Sequence, residues 1–258
     1  MLVYLISVVS ALVLAFLCGA IPFALIIGKS MRGLDVREHG SGNAGSTNAI
    51  RVLGKGPGLL VFAGDVLKGA LGCVIVALTV GISLTLASTE ATGQAIASLS
   101  STGAEAFEPD LLIGILASGN AGYLYDVPMA LAIIATVLGH MFSPFMGFKG
   151  GKGVATALGS VGVVLPLVAL CSFGVFAVVT LLTRYVSLGS IVAVISVPLF
   201  TIFFYGTPTY IVFTILLAVV VVIAHKKNIV RLARGEEPRI SLFKKNRDTG
   251  QETGEDAL

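Results

Sequence analysis

Seven apolar stretches, near residues 2–28, 57–87, 127–146, 154–165, 167–183, 188–204 and 208–224, are separated along this chain by short polar islands rich in glycine and lysine or arginine. Most reach or approach the roughly 20 residues that a helix needs to cross a bilayer. The pattern predicts an all-α polytopic membrane protein of about seven transmembrane helices. The stretch 154–183 is read as two pieces, because Pro166 interrupts the backbone hydrogen-bond ladder. Its first piece is too short to cross unaided, so it is expected to be buried among its neighbours.

Composition agrees: 55% of the residues are hydrophobic, only 12% are charged, and mean hydropathy is +0.96. A water-soluble domain carries about 25% charged residues. The distribution of charge says more than the net +3. The seventeen Lys and Arg fall in or beside 29–55, Lys68, 149–152, Arg184 and 226–247, while 89–126 is acidic and has none. The positive-inside rule therefore puts the basic segments in the cytoplasm and 89–126 outside, as a loop insertion. Splitting the chain at Pro166 keeps every basic cluster on one side, with the N-terminus out and the C-terminus in. Residues 1–28 lack a basic leading region and a polar cleavage site, so the first helix is expected to be retained. Residues 1–235 then form one membrane-embedded domain, and 236–258 a polar, disordered tail. Cys18, Cys73 and Cys171 lie inside apolar runs with no C-x-x-C pair, which implies neither a disulfide framework nor a metal site.

The first island, "HGSGNAGSTNAIR" at 39–51, contains a G-x-G-x-x-G string. That string marks a dinucleotide site only between a buried strand and the helix of a βαβ unit. Here a membrane span precedes it, so the dinucleotide reading fails. What remains is a glycine-rich turn whose N–H groups suit an anion, with Ser41, Asn43, Thr47 and Asn48 as neutral donors and Arg51 as a phosphate fork. The second island, "GFKGGKGVAT" at 147–156, resembles a P-loop but has Met146 at the first glycine position and Gly153 at the metal-binding hydroxyl. ATP hydrolysis is disfavoured. Bare amides, Lys149, Lys152 and a following helix N-terminus still favour an anion. In the third, "HKKNIVRLARGEEPRI" at 225–240, helical spacing puts His225, Asn228, Arg231 and Leu232 on one face. An ordinary basic loop flanking a span accounts for the lysines of the second and third islands but not for the three glycines of the one or the shared His–Asn face of the other. Three islands at one membrane face point to a site for an anionic, partly lipid-like substrate.

Together with "GDVLKG", "GHMFSPF" and "TRYVSLGS", these motifs resemble, in order and spacing, the bacterial acyl-phosphate-dependent glycerol-3-phosphate acyltransferases (PlsY type). The resemblance covers nearly the whole chain except 89–126 and the tail. It implies a seven-helix fold in the bacterial inner membrane. It also implies transfer of a fatty acyl group from acyl phosphate to the 1-hydroxyl of glycerol 3-phosphate, giving lysophosphatidic acid and phosphate. Those two substrates and membrane lipid are the implied partners. No nucleic acid, metal or cofactor is implied. The residues five places after His39, His140 and His225 are Ala44, Phe145 and Val230, so the H-x-x-x-x-D pair of soluble acyltransferases is absent.

Under this resemblance Arg51 and Lys152 clamp phosphate, aided by Ser41, Asn43, Thr47, Asn48 and the amides of Gly150, Gly151 and Gly153. His225 and Asn228 position glycerol 3-phosphate. Either His225 or the substrate's own phosphate serves as general base. Glu237 is structural in the family pattern, and Ser190 is a site residue through the resemblance alone. Asp65 and Lys68, three apart near the cytoplasmic end of the second span, read as an ion pair. The rival class, a transporter of organic phosphates, calls for polar residues at mid-bilayer and binding groups facing both sides. The sequence offers neither.

Overall fold

The computed structural model describes residues 2–102 and 120–240, and every regular element among them is helical. In chain order these are α1 (Leu2–Ala20), α2 (Phe23–Arg32), α3 (Ser46–Leu53), α4 (Lys55–Thr102), α5 (Asn120–Met141), α6 (Val154–Val164), α7 (Pro166–Thr183), α8 (Val186–Phe204), α9 (Pro208–Ala224) and α10 (Lys226–Ala233). Short 3₁₀ turns stand at Val36–Glu38 and Pro144–Met146. Among the described residues five segments are long and apolar enough to cross a bilayer, and the pair α9–α10, bent by 61°, makes a sixth if it is counted as one span. All seven predicted apolar stretches are helical over most of their length.

The break at Pro166 is present: α6 ends at Val164 and α7 begins at Pro166. With 11 residues, α6 is about 16 Å long, roughly half the hydrocarbon thickness. It is accordingly walled in by α4, α5 and α7, with Thr156, Ser160 and Leu165 fully buried. Small residues let α4 and α6 approach closely. A Cβ at Gly69 would overlap the Thr156 carbonyl, and one at Gly159 would overlap the Val66 carbonyl. Such crossings are how helices associate where no water drives them together. Around this centre, α1 packs on α4 and α5, α7 on α8, and α9 on α5 and α8. The outward faces carry exposed leucine, isoleucine and phenylalanine, as a lipid-facing surface does.

Three expectations need correction. The first span is not continuous, because α1 stops at Ala20 and α2 starts after Pro22, whose missing N–H cannot continue the ladder. The carbonyls freed at this break are capped from other elements. Ser143 Oγ donates to Ala20 O at 2.6 Å, and Lys68 Nζ donates to Ile21 O at 2.8 Å. Second, the presumed loop 89–126 is helical at both ends, since α4 runs on to Thr102 and α5 begins at Asn120. Residues 103–119 of that segment lie outside the described residues. Third, the tail is ordered as far as Ile240, whose N–H bonds Arg184 O at 2.9 Å, while Arg239 Nε donates to the Tyr185 hydroxyl at 2.9 Å. Residues 241–258 lie outside the described residues.

Candidate active site

The second and third islands meet directly. Lys152, in the loop before α6, donates from Nζ to Asn228 Oδ1 at 2.5 Å. The Asn228 amide nitrogen donates to Glu237 Oε1 at 2.7 Å, and Arg231 Nε donates to Glu237 Oε2 at 2.7 Å. Glu237, from the ordered start of the tail, thus orients the amide so that its oxygen faces the lysine. Burial would raise the Glu237 carboxyl pKa, but hydrogen bonds from Arg231 and Asn228 outweigh it and hold the group below the usual range.

Lys152 is pushed down to about 8, first by burial and then by the nearby charges of Arg231 and Arg51, with Glu237 opposing. Arg51, exposed at the last turn of α3, therefore lies within electrostatic reach of the cluster. His225 is 2% exposed and sits at the bend between α9 and α10, one residue before the helix that carries Asn228. The spacing predicted one helix face for His225 and Asn228; the bend at His225 breaks that helix, but both side chains are buried in the same corner. His225 Nδ1 lies 2.8 Å from Val221 O. A carbonyl only accepts, so Nδ1 carries the proton and the neutral ring keeps a lone pair on Nε2. Burial pushes its pKa down to about 4, and Lys152 adds to that.

The first island is a folded loop. Asn48, buried at 2% exposure, uses its whole amide internally. Oδ1 accepts from Ser41 N at 2.8 Å and Ser41 Oγ at 3.1 Å, and Nδ2 donates to Val36 O at 2.7 Å and His39 O at 3.1 Å. This residue, expected among the substrate donors, instead shapes the loop that presents Ser41. Asn43 and Thr47 are half-buried near the start of α3. Arg37 pairs with Asp35 at 2.8 Å and donates to Met146 O at 2.9 Å, tying the chain just before the first island to the chain just before the second.

In the second island Gly153 adopts φ +81° as the residue before α6, a conformation that strains any residue with a Cβ. Gly151 is buried against the His140 ring, where a Cβ would overlap Nε2. Beside this loop opens an apolar groove lined by Val154, Ala155, Leu158, Phe62, Phe176 and Ser190, among others. Ser190 Oγ bonds its own helix at Val186 O, 2.9 Å away, so the residue borders the groove rather than the cations. The groove was not foreseen, because its walls come from five helices. Arg231 was noted only as a neighbour on a helix face, and its pairing with Glu237 depends on the turn at Gly235, φ +72°.

Cations and an oriented carboxamide beside an apolar groove mark a polytopic membrane protein whose site suits an anionic headgroup joined to an apolar chain. Residues 9–235 match the family model described as Glycerol-3-phosphate acyltransferase. The chain belongs to that family. A glycerol-3-phosphate acyltransferase of Clostridioides difficile is 36% identical over 235 residues, spanning 90% of this chain and 95% of that one. The Thermosynechococcus vestitus protein of the same name is 38% identical over 227 residues, spanning 88% and 92%. Among solved structures, crystal structures of PlsY (YgiH), an integral membrane glycerol 3-phosphate acyltransferase, superpose with TM-scores of 0.68 for its glycerol 3-phosphate form and 0.67 for its lysophosphatidic acid form. They are 36% and 35% identical, and each match covers 91% of this chain and 96% of the other.

Proposed function

We propose that this chain transfers a fatty acyl group from acyl phosphate to the 1-hydroxyl of glycerol 3-phosphate, at the cytoplasmic face of the bacterial inner membrane. The observation that carries this reading is the contact of Lys152 with Asn228, placed where the apolar groove begins at Val154 and Ala155. The acyl chain lies in the groove, past Ser190. Its phosphate rests on the amides of Gly151 and Gly153, with Lys152 and Arg51 neutralising charge and Asn43 and Thr47 donating around it. The Gly150 N–H, expected to join them, is taken by Met141 O, and the Ser41 hydroxyl joins them on turning from Asn48. His225 and Asn228 hold glycerol 3-phosphate. The N-terminus is outside, and residues 1–235 are one membrane-embedded catalytic domain, to which Glu237 adds a structural contact.

In the reaction the glycerol hydroxyl oxygen bonds to the acyl carbonyl carbon. The bond from that carbon to the phosphate oxygen breaks, and the electron pair leaves on phosphate. Acyl phosphate is a mixed anhydride with a good leaving group, so the protein's work is to hold two anions together and stabilise growing charge. The hydroxyl proton goes to a base. Neutral His225 offers Nε2, yet with a pKa of about 4 it is a weak base at neutral pH. The phosphate of glycerol 3-phosphate, with a second pKa near 6, is the stronger acceptor, and His225 serves to position it.

Purified protein in detergent, given palmitoyl phosphate and glycerol 3-phosphate, should release phosphate and form lysophosphatidic acid in equal amounts. A transporter would need two compartments, so absence of release across several detergents and pH values overturns this reading.

A further inference from the structure

The helix that carries Asn228 is held by little of the bundle. α10 leaves α9 at a 61° bend, packs chiefly on the end of that helix, and buries only Asn228. The chain after it supplies the missing support. A turn at Gly235 ends the helix, with Glu236 N–H bonding Arg231 O at 2.8 Å, and Pro238 prevents the helix from resuming. Residues 237–240 then lie against the α7–α8 turn. Ile240 N–H bonds Arg184 O at 2.9 Å. Arg239 donates from Nε to the Tyr185 hydroxyl at 2.9 Å, and its guanidinium stands 5.0 Å from the centre of that ring. Arg184 itself has φ +62°, a left-handed conformation unfavourable for a residue with a Cβ, and its carbonyl is the one that receives Ile240. Between α10 and these anchorages, the Glu237 carboxylate accepts from Asn228 and Arg231 and lies close to Ser187 in the first turn of α8.

We propose that residues 237–240 are a strap that fastens the Asn228 helix to the α7–α8 hairpin, and that Tyr185 and Arg239, which close it, are positioning residues for acyl transfer. With the strap fastened, Glu237 holds the Asn228 amide so that its oxygen faces Lys152. With it released, α10 is free to turn about the bend at His225, and the carboxylate moves away from the lysine. The same hairpin contributes Phe176 and Ser190 to the apolar groove, so the strap joins the groove wall to the polar site. This rests on the proposed acyl transfer at Lys152 and Asn228.

The experiment releases the strap in the full chain by combining Arg239→Ala with Ile240→Pro, which removes both anchorages, and repeats the release in a Glu237→Ala background. Phosphate release from palmitoyl phosphate and glycerol 3-phosphate is followed from pH 6 to 9, with a thermal midpoint for each variant. Arg231 and Arg51 disfavour the charge on Lys152, neutral His225 stands near it, and Glu237 supports it. Releasing the strap should therefore lower kcat/KM by about threefold or more at pH 8, by less at pH 6.5, and move the basic limb toward lower pH. In the Glu237→Ala background the same release should cost less than about twofold, because both changes act through one carboxylate. Equal losses in the two backgrounds, or a basic limb that stays in place, overturn the proposal. Should a multiple variant lose its thermal transition, exposed Arg239 is tested alone. Arg239→Ala should lose about twofold at pH 8, and Arg239→Lys, which still donates to the Tyr185 hydroxyl, should recover most of that loss. Wild-type rates in Arg239→Ala, or the same loss from it in a Tyr185→Ala protein, overturn the proposal. A wild-type protein inactive with acyl phosphate would instead defeat the functional reading.

Discussion

Glu237→Gln removes one negative charge from the cluster while keeping its shape. The Gln carbonyl can still accept from Asn228, but its amide would face Arg231, where a 2.7 Å hydrogen bond now stands. Arg231 is one-third exposed, so water replaces part of that bond and the loss of stability should be about 1 kcal/mol or less. The larger effect is on Lys152. Glu237 opposes burial and the arginines in setting that lysine at about 8. Losing a nearby opposite charge lowers an ammonium pKa by on the order of one unit. At pH 8 the charged fraction of Lys152 then falls from about one half to about one tenth, while at pH 6.5 it stays above about three quarters. If the ammonium form clamps phosphate, the variant's kcat/KM should be about fivefold lower at pH 8 and within about twofold of wild type at pH 6.5. The assay is phosphate release from palmitoyl phosphate across pH 6 to 9. A basic limb that does not move, or a loss equal at all pH values, would refute the claim that Glu237 tunes Lys152.

Arg51→Lys should reduce kcat/KM at least tenfold despite the retained charge, because an ammonium lacks the planar fork that grips phosphate. Near-normal kinetics would reduce Arg51 to a topological charge. His225→Ala should raise KM for glycerol 3-phosphate and keep the acidic limb of kcat, as expected when the substrate phosphate is the base. A collapsed kcat with that limb gone and KM unchanged would make His225 the base. The same histidine resists protonation in the fold down to about 4, whereas the unfolded chain takes up its proton near 6.5. Stability should therefore fall as pH drops from 6.5 toward 4, by up to about 3 kcal/mol, and His225→Gln should flatten the pH dependence of the thermal midpoint. Replacing 103–119 with a short glycine-serine linker should leave kcat/KM within about twofold. Residues 102 and 120 end the helices whose other ends, Lys55 and Met141, adjoin the site. A large loss in a folded variant would contradict that placement.

Much of the architecture could be read from apolar run length and from proline, and the failures share a cause. Pro166 was recognised as a break because charge parity demanded one. Pro22 was passed over because nothing in the charge pattern required it, although the same missing N–H operates there. Residues 89–102 were taken for a loop on their serine, threonine and glycine content. Once α4 is formed, adding a residue to a helix costs little, and alanine, leucine and glutamine continue it. At the site, residue types were legible but pairings were not. Lys152 and Asn228 are 76 positions apart, and only the fold reveals that Glu237 orients the second toward the first. Asn48 looked like one more donor in a polar loop. Its saturation by four internal partners depends on the turn at Gly40, whose φ is +62°.

The central claim is that this site takes its acyl group from acyl phosphate, with Lys152 at the leaving group. The most direct measurement offers the purified protein palmitoyl phosphate, palmitoyl-coenzyme A and palmitoyl-acyl carrier protein in parallel, with radiolabelled glycerol 3-phosphate, in wild type and Lys152→Met. The account predicts lysophosphatidic acid from palmitoyl phosphate alone, with one phosphate released per product, and a loss of about 100-fold or more in Lys152→Met. Product formed from either thioester, or an unimpaired Lys152→Met variant, would contradict it.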